Sequence, residues 1–277
     1  MKTIGKFIRD IAITAAIIYA AVTTALWIFQ ERLIFPGAYQ ALPAWIDVAF
    51  PVAVDRVTIP VGDGVHLSAL YRRPDPDRPT ILVFHGNAGY PEDYGFLYKA
   101  WAFSGYGIVA PVYRGYPRSS GEVDADGMMR DALSVYDWTI KRHPSSSVIV
   151  FGQSLGSASA VKVSANRKVA ATILVSPFKS MLSVVSERFP FLPVSLALRP
   201  TLRNDLEMPR TSAPTIIFHG DRDDLVNIAS ARALAALAPS DPRFVVVEGA
   251  GHINGLYGSI MVLQINSFIA EHGGRRG

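Results

Sequence analysis

The chain of 277 residues is long enough for one domain with a sizeable core plus an appendage, and with 49% hydrophobic and 18% charged residues it is too apolar for a disordered protein. Its net charge of +4 sits mostly at the tips, with Lys2, Lys6 and Arg9 against Asp10 at one end and Arg275 and Arg276 against Glu271 at the other, so the folded part lacks the basic excess of a nucleic-acid binder. Cysteine is absent, which excludes disulfides, a thiol nucleophile and a Cys-ligated zinc.

Residues 11–29 contain no charge and lie between Asp10 and Glu31. As a helix they would rise about 29 Å at ~1.5 Å per residue, close to the ~30 Å hydrocarbon core, so they read as one transmembrane helix within an anchor of residues 1–31. Three basic residues precede the run and only Arg32 follows closely, which places the amino terminus in the cytoplasm and the remainder on the far side. Two competing readings are a signal cleaved near the small residues Thr23 and Ala25, followed by secretion, and a buried core helix. A core helix carries a polar stripe, and Thr14, Tyr19, Thr23 and Thr24 do not form an evident one, so the anchor is favoured.

Residues 32–54 form a linker rich in proline and aromatics, and residues 55–272 read as one domain followed by a tail, 273–277. Segments 56–61 and 66–73, split by Gly62-Asp63-Gly64, predict a hairpin. The short apolar runs 80–84, 107–112, 148–151, 172–175, 215–218 and 244–247 predict strands buried on both faces. Helix candidates lie at 91–103, 124–141, 155–166, 228–237 and 256–272. The alternation predicts an α/β protein with a mostly parallel, doubly wound sheet and a site at the carboxyl ends of its strands. Residues 178–209 break the alternation with Phe189-Pro190-Phe191-Leu192-Pro193 and read as a small cap insertion, or as a long connection packed on the domain.

Gly152-Gln153-Ser154-Leu155-Gly156 stands between a predicted strand and a predicted helix. A serine presented on so sharp a turn needs small residues two positions to either side, where side chains would strike the adjoining strand and helix. A serine hydroxyl is a weak nucleophile and requires a base, which in turn needs an orienting acid. Of the histidines at 66, 85, 143, 219, 252 and 272, His252 in Gly249-Ala250-Gly251-His252 falls in a loop between the last strand and the last helix. His85 and His219 also follow buried strands, which puts them near the site; they read as hydrogen-bonded loop residues, with the base or a metal ligand as the alternative role for either. For the acid, Asp221, Asp223 and Asp224 follow the run 215–218, where aspartates otherwise serve as turn and cap residues. Serine, aspartate and histidine thus occur in the chain order of the α/β-hydrolase triad, unlike the orders on chymotrypsin-like and subtilisin-like folds.

With these motifs in place, the chain resembles the α/β-hydrolase superfamily, in particular membrane-anchored hydrolase-domain proteins and their serine aminopeptidase-like bacterial relatives. The resemblance extends to Arg32-Leu33-Ile34-Phe35-Pro36, His85-Gly86-Asn87-Ala88-Gly89, Tyr113-Arg114-Gly115-Tyr116, Ser120-Gly121, Ser176-Pro177-Phe178 and Gly251-His252. It implies an α/β-hydrolase fold and an acid three residues after His219-Gly220, which is Asp223. It also implies an oxyanion hole from the backbone N–H groups of Asn87 and Leu155, with Ala88 as the alternative to Asn87. Val112 and Pro117 depart from the family pattern, which more often has Asp and Gly there, and put the shape of that wall in question.

The expected chemistry is two-step acyl transfer on a carboxylic ester or thioester, with Ser154 as nucleophile, His252 as base and Asp223 as its partner. No metal or organic cofactor is implied, because residues 105–110 lead into a strand where a dinucleotide fingerprint would follow one, and no phosphate-loop lysine follows Gly156. The cap and the anchor point to a lipid-like acyl substrate near a membrane. A peptidase of the same fold and a non-catalytic, membrane-tethered interaction domain are the alternatives.

Overall fold

The computed structural model describes residues 2–47, 53–199 and 202–274; parts of the linker, the cap and the tail lie outside the described residues. The hairpin forms from β1 (Asp55–Pro60) and β2 (His66–Arg72), paired antiparallel from Asp55 opposite Tyr71 to Pro60 opposite His66. The apolar runs become β3 (Thr80–Phe84), β4 (Gly107–Pro111), β5 (Val148–Gln153), β6 (Ala171–Val175), β7 (Thr215–Gly220) and β8 (Arg243–Val247). They build an 8-stranded sheet in the order β1-β2-β4-β3-β5-β6-β7-β8, parallel from β4 onward.

From β3 to β7 every strand residue is buried, as continuous apolar runs require in a sheet covered on both faces. The strand β8 differs from the expectation of full burial. It is the edge of the sheet, and its residues are half-buried or exposed. A run of Phe244 and three valines cannot by itself distinguish an edge from a centre, since neighbours decide burial.

Helices cover both faces. One layer holds α3 (Ala125–Arg142), α4 (Gly156–Asn166) and α8 (Ile228–Ala235), which pack a core containing Met128, Val135, Val161 and Leu234. The other holds α2 (Gly95–Phe103) and α9 (Ser259–His272), whose Leu97, Trp101, Ile265 and Phe268 pack on Ile81, Phe151 and Ile173. Strand order reverses at β3, between β4 and β5, and the loops leaving β3 and β5 flank the crevice that such a reversal creates.

The first helix, α1, runs Lys2–Ile34 and is longer than the 11–29 core anticipated for it. Its segment Ile4–Ile34 is long and apolar enough to cross a membrane. Between β6 and β7 the expected insertion contains α5 (Met181–Arg188), α6 (Val194–Ala197) and α7 (Asn204–Glu207). Ser180 starts α5 by accepting a 3.1 Å bond from the Ser183 N–H.

This insertion lies against α1. The Tyr19 hydroxyl donates to the Phe191 carbonyl at 2.8 Å, the Arg199 N–H donates to Gln30 Oε1 at 2.8 Å, and the Arg199 guanidinium sits 4.3 Å over the Trp27 ring. Two of the four polar residues that the sequence left without a pattern, Tyr19 and Thr23, therefore share a helix face with Trp27 and Gln30. That stripe is apparent only once Gln30, just beyond the apolar run, is included.

Candidate active site

The turn from β5 into α4 presents Ser154. A Cβ on Gly152 would collide with the Gly156 carbonyl, and one on Gly156 with the Phe84 carbonyl, so both glycines are dictated by backbone contact. Ser154 itself has φ of 49°, in the left-handed region that costs a serine about 1–3 kcal/mol. Its N–H donates to the Val175 carbonyl at 2.8 Å and its carbonyl accepts from the Ser157 N–H at 2.9 Å, which fix the strained turn from both sides.

The other two anticipated residues meet it. His252 Nε2 lies 2.8 Å from Ser154 Oγ, and His252 Nδ1 lies 2.8 Å from Asp223 Oδ2. Asp223 is the aspartate that reaches the imidazole. Asp221 instead accepts from the Gly249 N–H at 2.6 Å, and Asp224 is exposed. The Asp223 carboxylate is fully buried; its Oδ1 accepts from the N–H groups of Leu225 at 3.0 Å and Val226 at 2.8 Å. Burial works to raise its pKa, but hydrogen bonds from His219, His252 and the Val226 N–H outweigh it and hold the carboxyl well below the ordinary range.

His219 stands near the site, where its sequence position put it, but its contact with the acid was not anticipated. It is fully buried at the end of β7, with Nε2 2.9 Å from the Val226 carbonyl and 3.2 Å from Asp223 Oδ2. The acid thus has a histidine on either side. Its place after a strand was the available signal, and nothing in sequence spacing indicated a ring turned toward Asp223. The remaining histidines lie elsewhere: His66 at the hairpin, His143 bonded to the Tyr71 hydroxyl at 2.8 Å, and His272 at the end of α9.

The loop after β3 forms a turn from Gly86 to Gly89, closed by a 3.2 Å bond between their backbones. Among the described residues, the N–H groups of Asn87, Ala88 and Leu155 donate to no protein acceptor, and an ideal Cβ on Gly86 would stand 4.0 Å from that of Ser154. Free donors beside a nucleophile are the geometry that stabilises an oxyanion.

A polar scaffold outside the anticipated set holds this loop. The Tyr94 hydroxyl accepts from the Gly86 N–H at 3.2 Å and donates to Gln153 Oε1 at 2.6 Å, and Gln153 also accepts from the Tyr257 hydroxyl at 2.7 Å. On the other side, the Tyr113 hydroxyl donates to the His85 carbonyl at 2.6 Å and the Tyr116 hydroxyl to Asn87 Oδ1 at 2.7 Å. Val112 and Pro117 leave both tyrosines able to reach the loop. The Asn87 amide in turn donates to the Ile34 carbonyl at the end of α1.

A cleft of about 270 Å³ opens from Ser154 and Leu155 between α1 and the cap. Its walls are mainly apolar, and among the described residues no aspartate or glutamate lines it. Among the described residues, no group of three His, Asp or Glu side chains is arranged to hold a metal ion.

Residues 75–206 match the model of a hydrolase family described as serine aminopeptidase, S33. An uncharacterized protein of Mycobacterium tuberculosis is 30% identical over 92% of this chain and 92% of its own length. The lysophosphatidylserine lipase ABHD12 of Rattus norvegicus is 32% identical over 61% of this chain, which spans 47% of that longer protein. Among solved structures, an esterase of Pyrococcus furiosus shares the fold with a TM-score of 0.70 at 19% identity, over 85% of this chain and 98% of that one. Sheet order, strand-end site and these likenesses agree: the chain belongs to the α/β-hydrolase superfamily.

Proposed function

We propose that the protein is a membrane-anchored serine hydrolase that cleaves a carboxylic ester or thioester of a lipid-like acyl substrate through an acyl-enzyme. The observation that carries the reading is the unbroken relay of 2.8 Å contacts from Ser154 Oγ through His252 to the buried Asp223. As Ser154 Oγ bonds to the substrate carbonyl carbon, His252 Nε2 takes its proton, and Asp223 holds the ring and balances its charge. The carbonyl oxygen, now an anion, meets the N–H groups of Asn87 and Leu155. The tetrahedral adduct collapses, and the leaving alcohol or thiol takes the proton from Nε2. Water then attacks the acyl-enzyme with the same base, which releases the acid and restores Ser154.

The lipid-like substrate is supported by the apolar cleft, the spanning-length helix and the likeness to a lipase. An aminopeptidase would need an anionic partner for the substrate's ammonium group, and the cleft offers no carboxylate. The basic residues in the first turns of α1, before its uncharged run, support an orientation with the amino terminus cytoplasmic and the hydrolase domain across the membrane. The test is pre-steady-state hydrolysis of a p-nitrophenyl ester by the full-length protein. A burst of p-nitrophenol equal to the enzyme concentration, lost in Ser154→Ala, is the expected result. Turnover that survives Ser154→Ala at the wild-type rate would refute the mechanism.

A further inference from the structure

We infer that the cleft between α1 and the cap is the subsite for the acyl chain of a bilayer lipid, so that the membrane helix forms one wall of the pocket that selects the substrate. The inference rests on the acyl-transfer reading above and adds where the chain lies and what measures it.

From α1 the cleft is lined by Thr23, Leu26, Trp27, Gln30, Leu33 and Ile34. Their spacing of three and four residues puts them on one helix face. From Thr23 to Ile34 that face extends about 17 Å at ~1.5 Å per residue, the scale of a long hydrocarbon chain. Ile34 marks the near end, since its carbonyl holds Asn87 beside Ser154. The far end lies toward the tip of the cap, where Tyr19 bonds to Phe191. Val184 and Leu192 face α1 from the cap.

The occupant follows from where the far end opens. Tyr19 lies inside the uncharged run 11–29, so when that run spans a bilayer the cap tip bonded to it sits at the depth of hydrocarbon. The tip is dressed for that depth: Phe191 is 87% exposed and Leu196 88%, next to a helix whose Ile18 and Val22 are also exposed. Exposed apolar side chains on both the cap tip and the adjoining helix are unfavourable in water and satisfied in lipid. A cleft with apolar walls, a nucleophile at one end and a lipid-facing tip at the other suits a single acyl chain entering from the membrane. Thr23, Gln30, Asn87, Ser154 and Arg188 are the polar exceptions on these walls, too few to pair most of the backbone polar groups of a peptide.

The test uses full-length protein in vesicles of dialkyl-ether phosphatidylcholine, which has no carboxylic ester to cleave, with p-nitrophenyl butyrate and palmitate as probes. Leu26→Trp and Thr23→Trp fill the cleft and should lower the palmitate-to-butyrate ratio of kcat/KM by about tenfold or more. Val184→Trp, from the opposite wall, should shift the ratio the same way and replaces any α1 variant that does not label with a fluorophosphonate. Ile28, 60% exposed and absent from the cleft lining, provides the control: Ile28→Trp should leave the ratio at its wild-type value. Wild-type ratios in all three cleft variants, or an equal shift in Ile28→Trp, would overturn the inference while leaving the serine mechanism intact. A wild-type protein that neither labels nor cleaves either ester would overturn the mechanism, and this inference with it.

Discussion

Asp223 receives hydrogen bonds from two backbone N–H groups as well as contacts from two imidazoles, and this bonding explains why it remains a carboxylate despite full burial. Asp223→Asn keeps the shape but can present an amide N–H to His252 Nδ1, favouring the wrong tautomer; kcat for ester hydrolysis should fall roughly 10³- to 10⁴-fold. A loss of only a few-fold would remove Asp223 from the relay. His85, its ring tilted against Tyr113 with ring centres 4.1 Å apart, is a different case. Burial, opposed by its hydrogen bond to the Gly86 carbonyl, lowers its pKa to about 4. Below pH ~6.5 the unfolded chain takes up a proton there that the fold refuses, so this contribution is whole above that pH and declines as pH falls toward 4, by about 3 kcal/mol in all. Thermal melts of His85→Phe should accordingly lose less Tm than wild type between pH 6.5 and pH 4; parallel curves would contradict the assignment. The positions of Ser154, His252 and a group of three aspartates at strand ends were legible because glycine spacing and chain order constrain them, and the family resemblance singled out Asp223 among the three. The contact of His219 with Asp223 was not, because it depends on how the turn between them folds, and the Tyr94–Gln153–Tyr257 cluster was not, because its members come from distant segments.

Among the elements, the loop after β3 connects the site to the rest of the fold. Tyr94→Phe would leave the Gly86 N–H without its acceptor and Gln153 with one donor fewer, at a cost of about 1–3 kcal/mol in denaturant unfolding, with kcat reduced more than KM is raised. Unchanged stability and kcat would show that the loop holds itself. From the opposite side the same loop is tied to α1 through Asn87 and Ile34, so α1 also contributes to the site's geometry. Deleting residues 1–29 should therefore lower kcat on soluble butyrate esters by ~10- to 100-fold even in detergent, through misplaced donors. A truncated chain as active as the full one would fit the cleaved-signal reading instead. The long apolar helix α1 was legible from its uncharged run, whereas its cap-facing stripe was hidden because Gln30 lies outside that run. The edge position of β8 was equally hidden, since an apolar run of five residues is the same at an edge and in a centre.

At the scale of the whole molecule, the alternation of apolar runs and amphipathic stretches was sufficient for the doubly wound sheet, because each buried strand needs helices over both faces. Strand order was a different matter: the reversal at β3 depends on where each crossover lands, and only the motifs at the ends of β3, β5 and β7 indicated which loops would converge. The convergence is what the proposed chemistry requires. The most direct measurement is mass spectrometry of the folded, full-length protein after reaction with a fluorophosphonate, with the adduct mapped by peptide. The account predicts one adduct per chain, on Ser154, with its formation strongly slowed in His252→Ala. A well-folded wild-type protein that remains unlabelled, or carries the adduct on another serine, would contradict it.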